Sequence, residues 1–252
     1  MRNRFQDFFE EDKYIFLKKH LYNYLLRKRA IEKSMRGEAL ELILEVGSGI
    51  SPVMAASAKT IFSDLSYTAL SYLKRTHSKG VFVVADAAAL PFKPAVFSHA
   101  VCSEVLEHVE DDQRALNEMS RVLKPSGSLI LTFPHRRFYF TNDDRFVNHY
   151  RRYEDHDILM RLETAGFRPL EFKKILGPLE KITMSMVVFC FSILPKDKKK
   201  NPQVSDGSRF RILLEFMFKY LNRLYMGIVW LDARLWPGAL STIKLVRAKK
   251  KP

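Results

Sequence analysis

Between residues 42 and 133 the chain carries five short apolar runs, at 42–46, 60–64, 81–86, 96–102 and 128–133. Segments of helical spacing at 67–76 and 111–123 lie between them. Runs this short and this continuously apolar fit strands buried on both faces, and their alternation with helices predicts βαβ units and a parallel sheet. Right-handed crossovers then bring the C-terminal ends of the strands to one rim, where open α/β sheets bind ligands. Pro52 sits where a helix can begin after the first strand. Pro125 and Gly127 read as the stop between the second helix and the fifth strand.

Residues on either side extend this core. Tyr14, Leu17, Leu21, Tyr24 and Leu25 fall at helical spacing, so residues 1–40 are expected to form an N-terminal helical cap. Residues 135–155 are polar, aromatic and charged, which suits a loop over the rim. A helix over 157–165 is closed by Gly166, and 169–175 reads as a sixth strand. Residues 242–247 alternate apolar and basic side chains, as an edge or half-exposed strand would. The core therefore spans 41–175, an apolar and basic helical insertion spans 176–240, and 241–252 holds the last strand and a basic tail.

The rim of this sheet carries chemistry. Glu45, Gly47, Ser48 and Gly49 form a glycine turn at the tip of the first strand, where bare backbone can approach a ligand. Asp64 ends the second strand, where an acid can take ribose hydroxyls, and Leu65 follows it. Asp86 and Ala87 end the third, within reach of an adenine amino group. Ser103 and Glu104 end the fourth. Polar residues capping four successive strands on one rim are hard to explain as packing.

With these residues in order, the chain resembles the class I S-adenosylmethionine-dependent methyltransferases, in the type 11 group that includes quinone and small-molecule methylases. The segments that carry the likeness are 43–49, 63–66, 85–92, 105–109 and 121–127. The resemblance implies an α/β, Rossmann-like, doubly wound, mostly parallel seven-stranded sheet with a helical insertion before its last strand. It implies S-adenosyl-L-methionine as cofactor, with Glu45, Gly47 and Gly49 at its methionine end and Asp64 on its ribose. Asp86 and Ala87 then meet adenine, and Ser103 and Glu104 floor the site near the transferred methyl. The family often has a third glycine where this chain has Ser51. The resemblance also places substrate-facing residues after the fifth strand. Candidate general bases are His135 and His149, with Glu104 beside the methyl; candidate acceptor contacts are His108, Arg136, Tyr150 and Arg151. No metal is expected, because no second ligand stands at ligand spacing from His108.

The net charge of +14 is uneven, nearly balanced over residues 1–167 but with 18 Lys/Arg against 6 Asp/Glu over 168–252. Such a field suits an anionic lipid surface or a nucleic acid. The uncharged run 182–194 is too short for a comfortable span, and 210–231 is strongly apolar with Arg211, Glu215, Lys219 and Arg223 on one stripe. An interfacial helix, a lid and a dimer contact stay open for this insertion. Cations beside long aliphatic runs favour lipid over nucleic acid, and the chain lacks the Asn/Asp-Pro-Pro-aromatic motif of nucleic-acid amino methylases. The expected reaction is methyl transfer to a small-molecule or lipid-linked acceptor. An RNA methyltransferase and a catalytically silent scaffold are the alternatives. Cys102 and Cys190 read as buried thiols of a reducing compartment, and the N-terminus lacks an apolar signal core. A cytoplasmic protein is expected, peripheral on the inner membrane if the lipid reading holds.

Overall fold

The structure is a computed structural model and describes residues 20–193 and 208–252. The expectations for Tyr14 and Leu17 lie outside the described residues, as do those for the side chains of Cys190, Arg211 and Glu215.

Seven strands form one sheet: β1 (Ile43–Val46), β2 (Thr60–Asp64), β3 (Val81–Val84), β4 (Phe97–Ser103), β5 (Leu123–Pro134), β6 (Phe167–Leu176) and β7 (Ile243–Lys250). Their order is β3-β2-β1-β4-β5-β7-β6. The first five run parallel, and β7 is antiparallel to both β5 and β6. Seven helices accompany them among the described residues: α1 (Tyr22–Ser34), α2 (Tyr67–Thr76), α3 (Asp112–Val122), α4 (Asn142–Phe146), α5 (Asp155–Thr164), α6 (Pro178–Ile193) and α7 (Ser208–Leu235). The helix starts follow side-chain chemistry. Ser66 accepts the Ala69 amide at the head of α2, Asp111 accepts the Arg114 amide at the head of α3, and Glu154 and Asp157 make a reciprocal cap on α5.

Because side chains alternate across a strand, the central strands feed two cores. Leu44, Val46, Ala100, Cys102, Leu129 and Leu131 pack against α3 and α5 through Leu116, Met119, Ile158 and Leu162. Ile43, Val101, Ile130 and Leu245 point the other way, onto Tyr22, Leu26 and Ile31 of α1 and Met226 and Val229 of α7. Each such fully buried side chain contributes about 1.5–3 kcal/mol. Asn222 of α7 fastens the second layer: its Oδ1 accepts the Tyr22 amide, 200 residues away, and its Nδ2 donates to the carbonyl of His20.

Three local expectations are corrected. No helix follows Pro52; residues 47–59 are loop. The amides of Gly47 and Ser48 bond to the Ser63 carbonyl, Gly49 to Asp64, and Val53 and Met54 to Glu45, so the loop's donors are satisfied across the chain instead of along a helix. Residues 124–127 are not a separate stop. They belong to β5, bulging between the pairs Phe97–Leu123 and His99–Ser128, with Ser126 at φ 59°. Finally, β7 is no edge. It is enclosed by β5 and β6, and β6 is the half-exposed edge, lined by Glu171, Lys173 and Lys174.

His135, expected as a general base, is fully buried at the end of β5. Its Nδ1 donates to the Ser241 carbonyl at 2.8 Å and its amide to the Thr242 carbonyl at 2.8 Å, which ties β5 to the segment entering β7. Burial lowers the pKa of this imidazole below its ordinary value, with the Lys244 charge adding to the effect. Above its unfolded pKa of about 6.5 the group is neutral in both states; below it the unfolded chain takes up the proton more readily, so stability is lost on acidification. His135→Asn can still donate to Ser241 but does not titrate. Urea unfolding from about pH 7.5 to about pH 5 is expected to show a shallower loss of stability in this variant than in the parent.

Candidate functional site

Four strand tips open onto one cavity of about 440 Å³. The tip of β1 supplies Glu45, Gly47, Ser48 and Gly49; β2 supplies Asp64 and Leu65; β3 leads to Asp86 and Ala87; β4 supplies Ser103 and Glu104. Every residue expected to meet the cofactor therefore lines the same space. Three elements close it: α1 through Asn23, Tyr24 and Arg27, the 143–152 segment, and α6 through Glu180 and Met184.

The glycine turn is held by carboxylates. Asp64 takes the Gly49 amide on Oδ2 at 2.7 Å and the Ser66 amide on Oδ1 at 2.8 Å. Glu45 is buried and bonds Val53 and Met54 at 2.8 and 2.9 Å, so both of its oxygens fasten the loop. Gly47 and Gly49 lie at φ 71° and 53°, in the left-handed region. A Cβ on Gly47 would stand 2.3 Å from a methyl of Val105. The turn is thus a cradle that only a bare backbone can form. Across from it, Asp86 Oδ1 accepts the Ala88 amide at 2.8 Å, which shapes the turn beyond β3. Tyr24 reaches over from α1 and donates to the Pro52 carbonyl at 2.7 Å.

The opposite end is crowded with titratable groups. Glu104 sits at φ 55°, and its Oε1 accepts from the Thr132 hydroxyl at 2.9 Å. His108 and His149 meet edge to face, with ring centroids 4.6 Å apart. His149 Nδ1 lies 2.8 Å from Asp144, which also bonds Arg152 at 2.8 Å and Lys181 at 2.6 Å. Burial alone would raise the Asp144 carboxyl, but the His149 hydrogen bond, the Arg152 charge and the Lys181 ammonium hold it well below the usual carboxylate range. Behind His149, Glu107 is fully buried; burial and the nearby Glu104 carboxylate push its carboxyl well up. Glu180, also buried, is raised by burial.

Of the residues expected to act on an acceptor, the structure brings Glu104, His108 and His149 to the cavity wall. It does not bring the others. His135 is sealed behind β7. Arg136 donates to the Ala239 carbonyl and pairs with Glu154 at 2.7 Å. Arg151 pairs with Asp112 at 2.8 Å, and Tyr150, largely exposed, donates its amide to the Glu107 carbonyl. These three fasten the loop and do not line the cavity. Arg152 also lines it, and so do Asp144 and Glu180, which were not singled out from the sequence. Their signal is conformational, since they come from the loop and from α6 and meet only when α6 folds back over the rim.

Gly47→Ala tests the cradle. With a left-handed φ and a methyl in the way, it is expected to lower unfolding free energy by about 2–3 kcal/mol. Adding Val105→Ala should restore the steric share of that loss, measured by urea denaturation of the single and double variants.

Residues 44–131 match the family model described as "Methyltransferase domain". The chain is 29% identical over 110 residues to a demethylmenaquinone methyltransferase of Streptomyces griseus, covering 42% of this chain and 48% of that one. It is 27% identical over 132 residues to a probable S-adenosylmethionine-dependent methyltransferase of Mycobacterium tuberculosis, covering 52% and 48%. The chain thus spans about half the length of the curated relatives it matches. Among solved structures, a chain from the "complex between the Haloferax volcanii Trm112 methyltransferase activator and the putative methyltransferase" aligns over 100% of both chains with a TM-score of 0.66 at 13% identity, a likeness of fold. With the glycine cradle and the strand-tip acids in place, residues 44–131 are similar to that methyltransferase-domain family.

Proposed function

We propose that the protein moves the methyl group of S-adenosylmethionine to a small-molecule or lipid-linked acceptor that it meets at an anionic lipid surface. The observation that carries this reading is the two-sided placement of α6. Glu180 and Met184 line the cavity, while Ile182, Met186, Val187 and Phe189 of the same helix are exposed.

The residues present fit the cofactor. A Cβ at Gly47 would collide with Val105, so the turn stays bare, and the Asp64 and Asp86 tips offer carboxylates suited to accept from ribose hydroxyls and an adenine amino group. When bound, the cofactor supplies a methyl already activated on a sulfonium. The chain's own work is then to align the acceptor, exclude water and take a proton where the acceptor still holds one. His149, fixed by Asp144, and Glu104 are the groups at that end able to take it.

The lipid side rests on α7. Its buried face carries Asn222, Met226, Val229 and Ala233. On the opposite side Met217, Leu221, Leu224, Ile228, Leu231 and Leu235 make an exposed apolar stripe. Arg223 and Arg234 flank it, and the Arg234 guanidinium lies 3.9 Å over the Trp230 ring. Among the described residues no helix is long and apolar enough to cross a membrane. An apolar face with a cationic border instead suits an interfacial helix lying on anionic lipid. The same stripe favours lipid over RNA, because its cations border aliphatic side chains, whereas nucleic-acid binders pair cations with exposed aromatics in a groove.

Two measurements check this reading. Asp64→Ala is expected to weaken S-adenosylmethionine binding by about 100-fold in calorimetry, as it removes both the ribose acceptor and the tether on Gly49. The double change Leu224→Glu, Ile228→Glu should leave cofactor affinity unchanged but cut sedimentation with phosphatidylglycerol vesicles by about 10-fold or more. A parent protein that ignores such vesicles overturns the lipid part. Labelled methyl that enters neither lipid nor small-molecule extracts, despite normal cofactor binding, leaves the silent scaffold.

A further inference from the structure

We infer that Glu107, His108 and His149 form a site for one divalent transition-metal ion at the acceptor end of the cavity. Their ligand atoms, one from each residue, all lie within 4.8 Å of one another. The sequence hid this grouping, because His149 lies 41 positions from His108 and arrives on a separate loop.

Glu107 supplies the strongest argument. It is fully buried, and neither carboxylate oxygen has a hydrogen-bond partner on another residue. Among the described residues its nearest ion-pair neighbour is His149 Nε2, at 3.9 Å from Oε1, too far for a hydrogen bond. A buried carboxyl with nothing to accept from is costly to ionise, and a cation sharing the space offsets that cost. His149 is oriented for that task. Its Nδ1 is held by Asp144 at 2.8 Å, so Nε2 is the nitrogen left facing Glu107. A carboxylate bound to the far nitrogen of a histidine is how proteins fix metal-ligating imidazoles. Asp144 is itself locked by Arg152 and Lys181, so the ring has little freedom to turn away.

The donor set selects the ion. Two imidazoles and one carboxylate suit Zn²⁺, Mn²⁺ or Fe²⁺ better than Mg²⁺ or Ca²⁺, which prefer all-oxygen shells. Metal bonds of about 2.0–2.2 Å need the three donors to close in by roughly 1 Å, within the reach of side-chain rotation. Three protein ligands leave a coordination position open. His108 and His149 line the cavity, so that position faces the space where an acceptor would lie. The chemistry that fits it is an acceptor oxygen, a hydroxyl or enol, whose proton is made easier to lose by the ion. The ion's part in methyl transfer rests on the proposed function; its binding does not.

The test uses the protein stripped of metal with a chelator and then titrated with Co²⁺ in the absence of acceptor. One equivalent is expected to give the visible ligand-field bands of a nitrogen-bound, low-coordinate ion, displaced by one equivalent of Zn²⁺. His149→Ala and Glu107→Gln should each weaken binding by more than about 100-fold, since even outer-shell partners of a metal cost about 10–100-fold. Glu107→Gln keeps the shape of a buried side chain, and His149→Ala, at a partly exposed position, supplies an independent variant should the first not fold. Absence of one-equivalent binding overturns the site, as does equal Co²⁺ affinity in parent and variants. Calorimetry with S-adenosylmethionine on the stripped protein separates the two readings. Cofactor binding without cobalt binding sinks the metal site alone, and cobalt binding without cofactor binding sinks the methyltransferase reading alone.

Discussion

The crossover from β1 to β2 has no helix, and the cavity depends on how its backbone is satisfied without one. A parallel crossover normally closes its own hydrogen bonds in a helix. Here the amides of Gly47, Ser48, Gly49, Val53 and Met54 are taken by two carboxylates and a carbonyl from the strands on either side. Glu45 holds the far part of the loop, Asp64 holds the glycine turn, and the Ser63 carbonyl receives Gly47 and Ser48. The acids that mark the cofactor end are therefore also what keeps its floor in shape. A substitution at either acid acts on binding and on the loop together, so a stability measurement has to accompany any affinity.

The absent helix also changes what covers the sheet. The face that it would have shared is built from opposite ends of the chain, α1 from before the core and α7 from the insertion. That division explains why α7 is apolar on two sides. One side is core, filled by Met226 and Val229, and the other is the exposed stripe. Internal cover and interfacial helix are thus not rival uses of the insertion, because a single helix has room for both.

Much of this was legible in the residues. The βα pattern, the glycine turn and the acids at successive strand tips made the fold class and the cavity wall readable, because strand periodicity and rim chemistry are local in sequence. What escaped was set by distant partners. Nothing in Thr242–Arg247 reveals that β6 will cover its outer edge, and alternation alone made β7 look half-exposed. His135 and His149 look alike as loop histidines. Tertiary packing seals one behind Ser241 and turns the other, through Asp144, into the cavity. Glu107 and His108 gain their meaning only from that second histidine. The loss of the helix after Pro52 was equally invisible to propensity, since it depends on acceptors in neighbouring strands.

The clasp between Asn222 and the start of α1 carries a consequence for how the molecule is made. Tyr22 emerges from the ribosome early, while the side chain that receives its amide is synthesised 200 residues later. Contacts so far apart in sequence are slow to form because the intervening chain must first be ordered. The wall that Tyr24 and Arg27 contribute to the cavity can therefore seat fully only after α7 has been synthesised. Until then the cavity lacks that wall, and a chain cut short before α7 would also lose β7, the strand that joins β6 to the rest of the sheet.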